Sequence, residues 1–250
     1  MLKTLVSGLF VGVLAFTGVA QAKEVHELRL AHYLPPMHNM AAKILPEWAQ
    51  RIEKASDGRL KITIYPAGQL LAVNEIFDGV RGGVADIGWS MPGATPGRFP
   101  AMSIMELPFI FKSAKNASQV VMEAFEQGYM DKEFEGVKVL YLHTHHAGIV
   151  NTKDEVRDLE GLKGKRIRFP SPPVRALLSS LGADPVGVPA PQAYESLERG
   201  VLDGVAFPYD AMKGLRLGEL VSYHIDFPMY VLTFYLVMNE AKYNSLPQDL

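Results

Sequence analysis

The sequence predicts an α/β protein of two similar lobes facing a cleft, a two-lobed clamshell, and three observations predict it. Two stretches each read β-α-β-α-β, an order that favours a mostly parallel sheet flanked by helices. Their ends also match: GGVADIGWSMP from Gly82 resembles RGVLDGVAFPY from Arg199, pairing Gly83 with Gly200 and Asp86 with Asp203. A helix stop followed by a strand start can give such letters by chance, so the match counts only within the whole pattern. Finally, VKVLYLHTHH and the apolar run Leu232 to Met238 are placed to carry the chain to the second lobe and back. Two crossings imply a hinge.

In chain order, residues 1–22 read as a secretory signal peptide: Lys3, an apolar run from Leu5 to Val19, and the small-residue site Ala20-Gln21-Ala22 with no stop-transfer pattern behind it. HELRLAHYL is then a strand. HNMAAKILPEWAQRIEKASDG is a helix with Asn39 as N-cap and Gly58 as its stop. RLKITIYPA is a strand, VNEIFDGVRGG a short helix and VADIGWS a third strand. A proline-rich loop and a helix near Ala114 to Tyr129 precede the first crossing. In the second lobe KRIRFP is a strand, PPVRALLSSLG a helix, ADPVGV a strand, PAPQAYESLERG a helix and VLDGVAFPY a strand. The expected division is 23–146 with 231–250 for the first lobe and 147–230 for the second.

Composition bounds the function. The chain has 250 residues, no cysteine and 48% hydrophobic residues, so its stability rests on a core and not on disulfides. Past residue 22 there are 24 basic against 27 acidic residues, and no basic stripe, which argues against nucleic acid. No later apolar run approaches ~18 residues, so the expectation is a soluble exported protein, with the periplasm its destination.

Arg166 and Arg168 share one face of KRIRFP, opposite Ile167. Arg168 lies at the carboxyl end of the strand, where open α/β sheets place ligands. Its planar guanidinium suits a carboxylate, or else a structural Asp or Glu. Phe207, Pro208 and Tyr209 end the last strand of the second repeat, Trp89 ends the matching strand of the first, and Tyr33, Pro35 and His38 follow the first strand. Aromatics there are either core or pocket wall. His143, His145 and His146 offer a two-histidine metal pair on one strand face, with no carboxylate at close ligand spacing, or else hydrogen-bond donors at the cleft. No nucleophile motif, phosphate loop or zinc-protease pattern is present, and no cofactor is implied.

Several segments resemble one family. GRLKITIYPAGQLL, MELPFIF, DLEGLKGKRIRFP, QAYESLERGVLDGVAFP and VMNEAKYNSLP, in that order over residues 27–250, are similar to the solute receptors of tripartite ATP-independent periplasmic (TRAP) transporters, the dicarboxylate-receptor-like DctP family. The resemblance implies a periplasmic-binding-protein clamshell and a receptor, not an enzyme, that hands an organic acid to a membrane permease pair. It assigns Arg168 as the carboxylate clamp and leaves Arg166 solvated or structural. Phe207, Tyr209, Trp89 and Tyr33 would wall the pocket, while His38, Asn39 and His145 would hydrogen-bond polar substituents. Asp203 and Gly204 would shape a turn.

Two departures narrow the ligand. Phe207 stands where sugar-acid and dicarboxylate members carry Asn, and Gly148 falls near where such members place a second arginine. The expected ligand is a monocarboxylate with an apolar or aromatic body. Members of the family continue past the Leu-Pro segment with long helices, so the chain reads as lacking C-terminal helices. The alternatives are an exported metalloenzyme or metal-binding protein on His143, His145 and His146, and a receptor for an ATPase-driven importer.

Overall fold

The computed structural model describes residues 24–111 and 113–250, and the expected signal peptide lies outside them. Two five-stranded sheets form. The first has order β2-β1-β3-β10-β4, from β1 (His26–His32), β2 (Leu60–Tyr65), β3 (Ile87–Ser90), β4 (Val137–Thr144) and β10 (Thr233–Asn239). The second has order β7-β6-β8-β5-β9, from β5 (Gly148–Thr152), β6 (Arg166–Phe169), β7 (Asp184–Gly187), β8 (Gly204–Phe207) and β9 (Tyr223–Tyr230). In each sheet one strand, β10 or β5, pairs antiparallel with both neighbours while the other four run together.

The helices are α1 (Leu45–Ala55), α2 (Ile76–Arg81), α3 (Pro100–Ile104), α4 (Ala114–Glu126), α5 (Pro172–Ser180), α6 (Ala193–Glu198), α7 (Tyr209–Gly214) and α8 (Glu240–Asn244). The fold class read from the sequence is the one found. Strands β5 and β9 were not read from it. β5 is short and carries the buried polar pair Asn151 and Thr152, and β9 is largely exposed, so neither shows an apolar run.

The repeat has a physical basis. In the first sheet Arg29 donates from its backbone N–H at 2.7 Å and from Nε at 3.0 Å to Oδ2 of Asp86. In the second, Arg166 donates from its backbone N–H and from Nε to Oδ2 of Asp203, both at 2.9 Å, and from Nη2 to Oδ1 at 2.7 Å. Each aspartate returns its own N–H to the arginine carbonyl. Gly83 and Gly200 both end the preceding helix in the left-handed region, at φ 78° and 72°. The matched letters encode a matched joint, which ties the third strand of each lobe to its first.

The return crossing is anchored by the MELPFIF segment. Glu106, 1% exposed, accepts from the backbone N–H of Thr233 at 3.0 Å and from its Oγ1 at 2.6 Å. Burial raises the pKa of this carboxyl.

Candidate functional site

All the parallel strands that reach the cleft point their carboxyl ends at it, as the open-sheet rule requires. A cavity of about 210 Å³ lies there. Trp89 borders it from the first sheet, Tyr33 and His38 from the segment that follows β1, Arg168 and Phe207 from the second sheet, and His145 from the connection between the sheets. Those six were expected.

Arg168 is 1% exposed. Its Nε donates to the carbonyl of Val188 at 3.0 Å and its Nη1 to that of Ala206 at 3.4 Å. Its guanidinium carbon stands 4.2 Å from the centre of the Phe207 ring. Loss of hydration lowers its pKa to about 10, so it stays charged at neutral pH. Among the described residues no carboxylate pairs with it, which removes the structural-partner alternative. Arg166 is the arginine that takes the structural carboxylate.

The wall facing it is a stack. Trp89 lies between Tyr33, at 5.6 Å and 20°, and Phe234, at 4.8 Å and 8° between ring planes. The Trp89 indole N–H donates to Nε2 of His143 at 3.0 Å. That lone pair is thereby used, and burial lowers the His143 pKa to about 4, so His143 is a neutral structural ring. β4 ends at Thr144, so His145 and His146 lie past the strand, with His143 and His145 both packed on the Phe234 ring. Among the described residues no three His, Cys, Asp or Glu side chains gather as a metal-binding group.

Two expected residues do not border the cavity. Tyr209 begins α7, which turns it outward to 51% exposure against the His224 ring. Asn39 is exposed, already has helical angles (φ −53°, ψ −37°), and makes no side-chain cap. Nδ1 of His38 accepts the Met40 N–H in its place, at 3.2 Å.

Residues the sequence reading missed include Met91, Phe234, Asp210 and Tyr230. Tyr230 is the most informative. Its hydroxyl is buried without a hydrogen-bond partner among the described residues, beside the charge of Arg168. It pairs across strands with Gly148, where a Cβ would fall 2.2 Å from Tyr230 Cζ. The glycine at 148 is there because the phenol ring needs its space. A facing glycine and tyrosine on neighbouring strands is the signal that could have found it.

A family model, bacterial extracellular solute-binding protein family 7, matches residues 30–250. The chain belongs to this family. Its members are solute-binding receptors, not enzymes. Three solved structures are similar to it across most of its length. A TRAP solute-binding protein from a marine metagenome, specific for aromatic acid ligands and bound to 3-hydroxybenzoate, is 34% identical with TM-score 0.86, covering 90% of this chain and 72% of its own. One from Rhodoferax ferrireducens T118 with copurified benzoate matches at 34% and 0.86, over the same shares of each chain. One from Bordetella bronchiseptica with bound (R)- and (S)-mandelate matches at 30% and 0.82, over 89% and 72%. The chain spans between 55% and 73% of the length of curated relatives it matches. Family 7 is extracytoplasmic, and among the described residues no helix is long and apolar enough to cross a membrane.

Proposed function

We propose that this receptor binds an aromatic monocarboxylate in the cavity between its lobes, clamps the carboxylate with Arg168, and delivers it to a TRAP membrane permease in the periplasm. The observation that carries the reading is Arg168 itself: a buried guanidinium with no carboxylate partner among the described residues. A buried cation is costly unless paired, and a carboxylate offers two in-plane acceptors for its remaining N–H groups. The buried Tyr230 hydroxyl supplies a further donor beside it.

The walls support the body of the ligand. Tyr33, Trp89, Phe207 and Phe234 present aromatic faces, and about 210 Å³ exceeds the ~150 Å³ apolar cavity known to hold one benzene ring. The room beyond one ring suits a carboxyl and a small substituent. Tyr230 occupies the space a side chain at 148 would need, which leaves no second cation there and disfavours a dicarboxylate. The 3-hydroxybenzoate, benzoate and mandelate in the three similar structures agree with this class. The lobes would divide as 23–146 with 231–250, and 147–230, closing about the two crossings. A metal site on the histidines is not favoured, because the Trp89 indole takes the His143 lone pair.

The test is a thermal-shift screen of the wild type and Arg168→Ala against benzoate, mandelate, succinate and glucuronate. A hundredfold excess over Kd stabilises by about 2.7 kcal/mol, a shift of several degrees for a chain this size. A shift with the aromatic acids that vanishes in Arg168→Ala is expected. No shift with any acid, or a shift retained by the folded variant, overturns the reading.

A further inference from the structure

The cavity has a second polar group that the carboxylate clamp does not use. His145 borders it with its ring edge-on to Tyr230, at 5.8 Å between centroids, and tilted to Phe234 at 5.7 Å. Its Nδ1 is hydrogen-bonded to the carbonyl of His146. A carbonyl accepts, so Nδ1 carries the proton, and in a neutral imidazole the other nitrogen is then a bare acceptor. Burial keeps the ring neutral by lowering its pKa to about 4. Nε2 makes no hydrogen bond to the protein among the described residues. Two other ring nitrogens at the cavity already accept hydrogen bonds, His143 Nε2 from the Trp89 indole and His38 Nδ1 from the Met40 N–H.

Two kinds of polar group border the cavity: donors on Arg168 and Tyr230, and acceptors on His145 and on Asp210 beside it. Arg168 and the Tyr230 hydroxyl present N–H and O–H donors, which want an anion. His145 presents a lone pair, which wants a donor and repels a second carboxylate. An aromatic acid with no further polar group satisfies the first and leaves Nε2 desolvated. One that also carries a hydroxyl satisfies both.

We infer that the ligand is a hydroxylated aromatic monocarboxylate whose hydroxyl donates to Nε2 of His145, making His145 the residue that sets specificity. The inference rests on the proposed receptor reading and names the substrate class within it. It assigns His145 an acceptor role, where a donor or a metal ligand was the expectation from sequence.

The test is calorimetric titration of the protein with benzoate, the three hydroxybenzoate isomers and their methoxy counterparts. At least one hydroxy isomer should bind about tenfold more tightly than benzoate, the worth of one buried hydrogen bond, and its methoxy counterpart should lose that gain. His145→Phe should bring the ratio of hydroxy-acid to benzoate affinity, both measured in the same variant, down to about one. The wild-type ligand series does not depend on that variant folding. Nitrogen NMR of His145 adds a direct readout, with Nε2 unprotonated in the free protein and shifted on binding the hydroxy acid. Equal affinity for hydroxy, methoxy and unsubstituted acids, or a proton on Nε2, would overturn the inference and leave the receptor reading standing. Failure of every acid to bind would instead overturn the receptor reading beneath it.

Discussion

The Arg168 guanidinium carbon stands over the Phe207 ring, 4.2 Å from its centre. The geometry divides the arginine. An apolar ring lies against the guanidinium carbon, and the N–H groups take acceptors in the plane of the guanidinium. Two backbone carbonyls, Val188 and Ala206, take some of those N–H groups. The remainder is positioned for a ligand, so a change at Phe207 acts on the clamp without touching the carboxylate.

Phe207→Leu tests that division. Leucine keeps an apolar contact but removes the cation–π attraction, worth roughly 0.5–2 kcal/mol. Affinity for benzoate should fall by about threefold to thirtyfold, measured by calorimetry. Affinity unchanged from the wild type would show that the ring merely fills space.

Gly148 should resist any side chain. A Cβ there would stand 2.2 Å from Cζ and 2.6 Å from Oη of Tyr230, a residue that is itself buried at the end of β9. Overpacking of this kind costs about 1–3 kcal/mol. Gly148→Ala should lower the unfolding midpoint in urea accordingly, and Tyr230→Leu in the same chain should recover part of the loss. Additive effects in that double-mutant cycle would mean the two residues do not meet.

The matched joint predicts a separation of stability from binding. Asp203 holds the backbone and side chain of Arg166 at the start of β6, and that salt bridge lies on the partly exposed side of the sheet. The arginine lowers the pKa of the Asp203 carboxyl, chiefly through their side-chain hydrogen bond. Asp203→Ala should lower Tm and leave benzoate affinity within about threefold of the wild type. A large loss of affinity with Tm unchanged would place Asp203 in the site.

Much of this was legible in the sequence for identifiable reasons. Strands β3 and β8 are buried along their whole length and follow glycine turns, while β1 and β6 show the alternation of a half-buried strand. Arg168 was legible because strand alternation and the carboxyl-end rule need only local sequence. Tyr230 was not, since its meaning depends on Gly148, a partner distant in sequence on the facing strand. Tyr209 was misread because a strand end and a helix start look alike after proline: β8 stops at Phe207, and α7 takes Tyr209 outward. The role of His145 depends on which ring nitrogen the His146 carbonyl takes, and no residue spacing encodes that.

His143 gives the chain a pH dependence whose sign can be worked out. Burial holds its folded pKa at about 4, against roughly 6.5 for an ordinary histidine. Between those values the unfolded chain binds a proton that the folded one refuses, so stability rises with pH across this window and falls as pH drops from 6.5 toward 4. At ~1.4 kcal/mol per pH unit, the ring contributes a loss of about 3 kcal/mol by the bottom of the window. Other groups act in the same range, His32 and His145 in the same direction and the raised carboxyl of Glu106 in the opposite one. A difference measurement isolates His143. In His143→Gln an amide oxygen can still accept the Trp89 indole N–H, and nothing titrates. Urea unfolding of both proteins at pH 7 and pH 4.5 should therefore show the wild type losing about 2–3 kcal/mol more than the variant. Parallel losses would mean that the ring is already protonated in the folded protein, and that the indole donates to something else.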